Sequence, residues 1–138
     1  MLIDVAGFAT ATILAGLSAL HLYWAGGGQR GQGAVVPTVE GRPRLSPSRT
    51  ATVVVAVLLA LSAVLVAGGV GGWPPRLVFR IGAAGVGLVL LARAVGERRY
   101  VGLFKRERDT EFARRDTWLY TPLCLALGSA AVIVAVAA

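Results

Sequence analysis

This 138-residue chain has little suited to polar chemistry: 15% of its residues are charged, and it carries one histidine, one cysteine and one lysine. A single cysteine excludes an internal disulfide and any dithiol redox motif. A single histidine excludes a histidine cluster, and a structural zinc needs about four ligands and a catalytic one about three. No metal and no cofactor is therefore expected. The charged fraction lies well below the roughly 25% usual for soluble domains. Against it stand 56% hydrophobic residues and a mean hydropathy of +0.70.

Long apolar runs fill the space that charge leaves. A membrane-spanning helix takes about 20 largely apolar residues. Four stretches approach that length: Leu2 to Trp24, Thr50 to Val70, Leu77 to Val95 and Trp118 to Ala138. They predict an all-α, integral membrane four-helix bundle in one domain, with helices near 2–24, 50–70, 75–97 and 118–138 and loops near 25–49 and 98–117. The first run lacks the basic start and small-residue cleavage site of a signal peptide and ends in Leu22, Tyr23 and Trp24. It is expected to remain as a helix.

The net charge of +7 does not point to nucleic acid, because the basic residues sit between apolar runs with no groove-reading or single-strand motif beside them. They read as topology signals. The first long connection carries Arg30, Arg42, Arg44 and Arg49. The other carries Arg93, Arg98, Arg99, Lys105, Arg106, Arg108, Arg114 and Arg115. Only Arg76 and Arg80 flank the short middle turn. Twelve against two places both long connections in the cytoplasm and both termini outside, under the positive-inside rule. Arginine outnumbers lysine thirteen to one, and with abundant alanine, valine, glycine and leucine this suggests a GC-rich genome. The expected location is a bacterial cytoplasmic membrane.

Several local features follow. Gly7, Ala11, Ala15 and Ala19 recur at every fourth position and predict a smooth strip for helix packing. Ser46 to Thr50 supplies an N-cap for the second helix, and the glycines from Gly68 to Gly72 with Trp73, Pro74 and Pro75 predict a tight turn before the third. Arg76 and Arg80 share a helix face and are expected to snorkel to phosphates. Asp116 or Thr117 is expected to cap the fourth helix, with Pro122 in or just beyond its first turn.

Setting these helices at equal depth gathers His21, Tyr23, Trp24, Arg93, Glu97, Tyr100, Asp116, Tyr120 and Cys124 into one layer at the cytoplasmic end. Ionisable groups are costly in hydrocarbon and usually face a bundle interior or a wet cavity. The layer therefore predicts His21 facing Asp116 or Glu97, with Arg93 neutralising an acid. All of these except Cys124, which is expected to serve packing, are candidate ligand-binding residues. No catalytic residue is assigned. The plain alternative is that the same groups cap helices and tie the last connection to the bundle. That connection, with Leu103, Phe104 and Phe112 among both signs of charge, fits either a headgroup-level segment or a solvated surface.

The motifs HLYWAGGG, VVP and RAVGERRYVGLFKRERDTEFARRDTWLYTPLCLALG resemble those of a bacterial family of small membrane proteins defined only as a domain of unknown function. The resemblance runs over nearly the full length. It implies His21, Tyr23, Trp24, Gly27, Pro37, Arg93, Gly96, Tyr100, Gly102, Phe112, Asp116, Tyr120, Pro122 and Leu123 as signature positions and a four-helix topology, without an activity. The leading functional expectation is a non-enzymatic module that binds a small amphiphile, a lipid headgroup or a partner helix at the cytoplasmic end. Partners are the lipid bilayer and such a ligand or membrane protein, with no nucleic acid. One alternative is a membrane-embedded enzyme using His21 with Asp116 or Glu97 for acid-base chemistry on a lipid-like substrate. Another is a purely structural subunit of a membrane complex. Transport fits least, since the mid-membrane has neither charge nor a broken helix.

Overall fold

The computed structural model describes residues 1–31, 48–96, 101–106 and 108–137, together with the backbone of Thr38, Val39, Arg42 and Pro43. Those four form a two-residue antiparallel ladder, Thr38 opposite Pro43. Everything else of substance is helical: α1 (Leu2–Ala25), α2 (Arg49–Gly71), α3 (Arg76–Val95), a short α4 (Glu111–Arg115), a π-helical turn (Asp116–Tyr120) and α5 (Thr121–Ala137). The last three run on as one 27-residue element. With α1, α2 and α3 it makes four helices, among the described residues, long and apolar enough to cross a membrane, and the chain is an all-α multi-pass bundle.

Packing is between neighbours in a ring. The most extensive pairs are α1 with α2 and α3 with α5, and the ring closes through α2 with α3 and α1 with α5. The core draws on all four: Ala11 and Leu14 from α1, Ala63 and Val66 from α2, Ala83 from α3, and Leu127, Ala131, Val134 and Ala135 from α5. Large side chains such as Val54, Val57, Leu58 and Leu61 point outward instead. In lipid, apolar side chains gain nothing by leaving the surface, so small residues that let backbones approach decide the contacts. Between α3 and α5 the two backbones themselves approach closely. A Cβ built on Gly87 would lie 2.8 Å from the Gly128 carbonyl oxygen, and one built on Gly128 would lie 3.0 Å from that of Gly87.

The expected strip on α1 is half present. Gly7 and Ala11 are buried, whereas Ala15 and Ala19 are exposed, and the inward stripe continues instead through Leu14 and Ser18. Four residues advance a helix by about 40° more than a full turn, so an unbroken four-residue repeat drifts off the contact face. Alternating steps of three and four stay on it. Ser18 uses its place there to donate to the Ala56 carbonyl at 2.7 Å, a buried link from α1 to α2.

Capping follows the sequence at α2, where the Ser48 hydroxyl accepts from the Ala51 N–H at 3.1 Å. The fourth span departs from it. Its helix starts at Glu111 rather than near 118, and its N-cap is Thr110, whose hydroxyl accepts from the Ala113 N–H at 3.0 Å. Asp116 is not a cap but lies inside the element and is fully buried. Arg80 has a partner within the bundle: its Nε donates to the Ala135 carbonyl at 2.8 Å, in the last turn of α5, where carbonyls lack the usual intrahelical partner.

Candidate functional site

Pro122 explains the local form of the site. Proline has no N–H to offer the carbonyl four residues back, and its ring presses on that carbonyl. Here the helix widens just before the proline, and the Thr121 N–H reaches back five residues to the Asp116 carbonyl. An extra residue in one turn rotates the preceding chain by about 100° relative to the helix that follows. Phe112, Ala113 and Asp116 are thereby buried before the wide turn and Thr121 and Leu127 after it, while Trp118 stays 84% exposed.

A second backbone device brings partners to Asp116. Gly96 ends α3 with φ +69, and Gly102 has φ +89. The Leu103 N–H donates to the Ala94 carbonyl at 2.9 Å, which ties the 101–106 segment back to the end of α3. A Cβ on either glycine would strike backbone: the Val101 carbonyl from Gly96, the Val95 carbonyl from Gly102. Side-chain-bearing residues also disfavour positive φ, so both positions require glycine twice over.

The Asp116 carboxylate is saturated by this arrangement. Oδ1 accepts from Arg93 Nη2 at 2.8 Å, and Oδ2 accepts from the Gly102 N–H at 2.8 Å and from Lys105 Nζ at 3.0 Å. Lys105 is itself 3% exposed and donates also to the Gly102 carbonyl at 3.2 Å. One anion thus faces two cations, and the 101–106 turn is clamped to the bundle. Buried charge is tolerated where it is paired in this way, and Arg93 Nη1 is left buried with no hydrogen-bond partner among the described residues.

Beside the clamp, an open groove of about 480 Å³ runs between α1 and the fourth span. Leu17, Leu20, Leu119 and Leu123 form much of its wall, with Phe112 tilted against Tyr120 at a ring separation of 5.9 Å. Arg30, Arg93 and Arg115 line it as well, and among the described residues the lining holds no aspartate or glutamate. Trp24 Nε1 donates to the Arg30 carbonyl at 2.8 Å, pinning the chain after α1 across the groove's end. Arg115 pairs with exposed Glu111 at 2.7 Å. His21 Nδ1 lies 2.7 Å from the Leu17 carbonyl oxygen, and the ring sits edge-on to Trp24 at 5.0 Å.

Of the residues singled out from the sequence, His21, Trp24, Arg93 and Tyr120 share this groove, and Cys124 lines it half-buried. Arg93 meets Asp116. His21 does not: its hydrogen bond goes to its own helix. Tyr23 is 45% exposed and lies over Gly28 rather than in the groove. Glu97 and Tyr100 fall outside the described residues. Sequence reasoning did not single out Lys105, Arg30 or Arg115. For Lys105 a signal existed, since it is the lone lysine among thirteen arginines, and a compact ammonium fits a closed pocket that a guanidinium fork would not.

The architecture defines a class: a four-helix, multi-pass membrane protein whose buried ionised site lies at its arginine-rich end. Residues 14–131 match the family model described as Protein of unknown function (DUF3995), and the chain belongs to that family. No curated protein and no solved structure shows detectable similarity to it.

Proposed function

We propose that this protein is a membrane-embedded binding module that takes an anionic amphiphile into the groove between α1 and the fourth span, at the cytoplasmic side of a bacterial inner membrane. The observation that carries this reading is the composition of the groove. Among the described residues, three arginines and no carboxylate share a lining that is otherwise largely leucine and aromatic, and ligand sites are typically apolar with a few placed polar groups. Its volume of about 480 Å³ lies inside the usual range of roughly 300–1,000 Å³. The head would lie at the arginines and the tail along Leu17, Leu20 and Leu119. The cytoplasmic assignment rests on the twelve-to-two distribution of basic residues.

Acid-base catalysis is less well supported. It needs a proton-transfer group within reach of substrate, yet both oxygens of Asp116 are engaged by Arg93, Gly102 and Lys105 behind the groove. Asp116 accordingly serves to hold Arg93 rather than to touch the ligand.

Native mass spectrometry of the gently extracted protein tests the proposal, with phosphatidylglycerol added against phosphatidylcholine of the same chains. The expected result is a discrete one-to-one adduct with the anionic lipid, weakened by Leu20→Trp, which fills the groove from a partly exposed position. A parallel arm with the single-chain form of the anionic lipid separates a bilayer lipid from a free amphiphile. Equal retention of both headgroups, unaffected by Leu20→Trp, would overturn the reading.

A further inference from the structure

Among the described residues lining the groove, His21 offers a ring acceptor where the arginines only donate. A carbonyl oxygen can only accept, so the contact of 2.7 Å from His21 Nδ1 to the Leu17 carbonyl places the ring hydrogen on Nδ1. The hydrogen bond made by one ring nitrogen fixes the role of the other. In the neutral imidazole, Nε2 then carries a lone pair and no hydrogen, directed away from the Leu17 carbonyl. The guanidiniums of Arg30, Arg93 and Arg115 donate only. Trp24 also donates only, and its N–H is used on the Arg30 carbonyl. The hydroxyl of Tyr120 and the thiol of Cys124 both donate and accept. Among the described lining residues, His21 alone presents a ring acceptor with no hydrogen of its own.

We infer that the head of the bound amphiphile carries a hydroxyl beside its anionic group, the hydroxyl donating to His21 Nε2 while the anion meets the arginines. This rests on the groove being an anionic amphiphile site. It adds a requirement that anion binding alone does not make: a polyol-type phosphodiester head, rather than any phosphate or carboxylate of equal charge. A site built to hydrogen-bond a ligand hydroxyl discriminates against the analogue that lacks it, because the site's own polar group is then left unpaired.

The test compares phosphatidylglycerol with phosphatidylmethanol of identical acyl chains, which has the same charge and no hydroxyl, in competition on the intact protein by native mass spectrometry. Wild type should prefer the hydroxylated lipid by about five- to tenfold, the worth of one hydrogen bond. His21→Phe, which keeps an aromatic ring beside Trp24, should bring that ratio to about one while an anionic adduct persists. His21→Gln, whose side-chain oxygen accepts, should restore part of the preference and guards against a folding defect in the phenylalanine variant. Equal binding of the two lipids by wild type overturns the hydroxyl requirement and leaves the anionic groove standing; an imidazolium donating to the anion would give this outcome. A preference that survives in His21→Phe overturns the assignment to His21. If neither anionic lipid outcompetes phosphatidylcholine, the groove reading fails and this inference with it.

Discussion

Arg93 and Arg80 are the same residue type at opposite ends of one helix, and they do different work. At the turn between α2 and α3, Arg80 reaches across to carbonyls at the end of α5. It donates to carbonyls of a helix terminus, and the residue is exposed. At the other end Arg93 enters a closed network with a carboxylate that has no exposure at all. One end is finished by local bonding. The other brings together α3, the 101–106 turn and the widened start of the fourth span through a single anion. The comparison separates arginines that end helices from arginines that hold a site together, a distinction that sequence position alone does not draw.

The contrast predicts a graded set of outcomes. Asp116→Leu should have the largest effect, because it leaves Lys105 and Arg93 as uncompensated cations. Removing one partner of a buried pair costs about 3–5 kcal/mol, to be read from the denaturation midpoint in mixed micelles. Gly87→Leu places a large side chain where even a Cβ would meet the Gly128 carbonyl, and overpacking of this kind costs about 1–3 kcal/mol. Unlike Asp116→Leu, it should leave the 101–106 turn in place, as hydrogen exchange at the Gly102 and Leu103 amides would show. Arg80→Ala should cost about 1 kcal/mol, the worth of a hydrogen bond, with lipid binding at the far end unchanged. Arg30→Gln should be smallest for stability, within about 0.5 kcal/mol as for other surface substitutions, yet should weaken anionic adducts several-fold. A stability loss from Arg30→Gln as large as that from Asp116→Leu would erase the division between groove and clamp.

The fold was largely legible because membrane spans are written in composition. The first three helices begin and end within two residues of the hydropathy boundaries. The fourth was misplaced because hydropathy locates lipid-facing residues and not helix starts. Glu111, Arg114 and Arg115 are compatible with a helix yet invisible to an apolar count. The pairing of Arg93 with an acid could be read from depth, since a buried charge must find its opposite. That Asp116 is an acid paired with Arg93, and that Lys105 joins it, could not. Both depend on Gly96 and Gly102 standing at positive φ, a dihedral fact with no periodicity to reveal it. Pro122 reads from the sequence as lying in or just beyond the first turn, but its actual effect, a wider turn that aims Asp116 inward, needed the neighbouring helices to select it.

The burial of Lys105 has one further consequence, for chemical labelling. Since no other lysine exists in the sequence, the folded protein keeps its whole complement of side-chain amines out of contact with water. An amine-reactive ester can therefore modify that side chain only during moments when the 101–106 turn lifts from Asp116. Local openings of this kind occur with free energies between zero and that of global unfolding, and a slow, first-order appearance of acylated Lys105 would count them one molecule at a time.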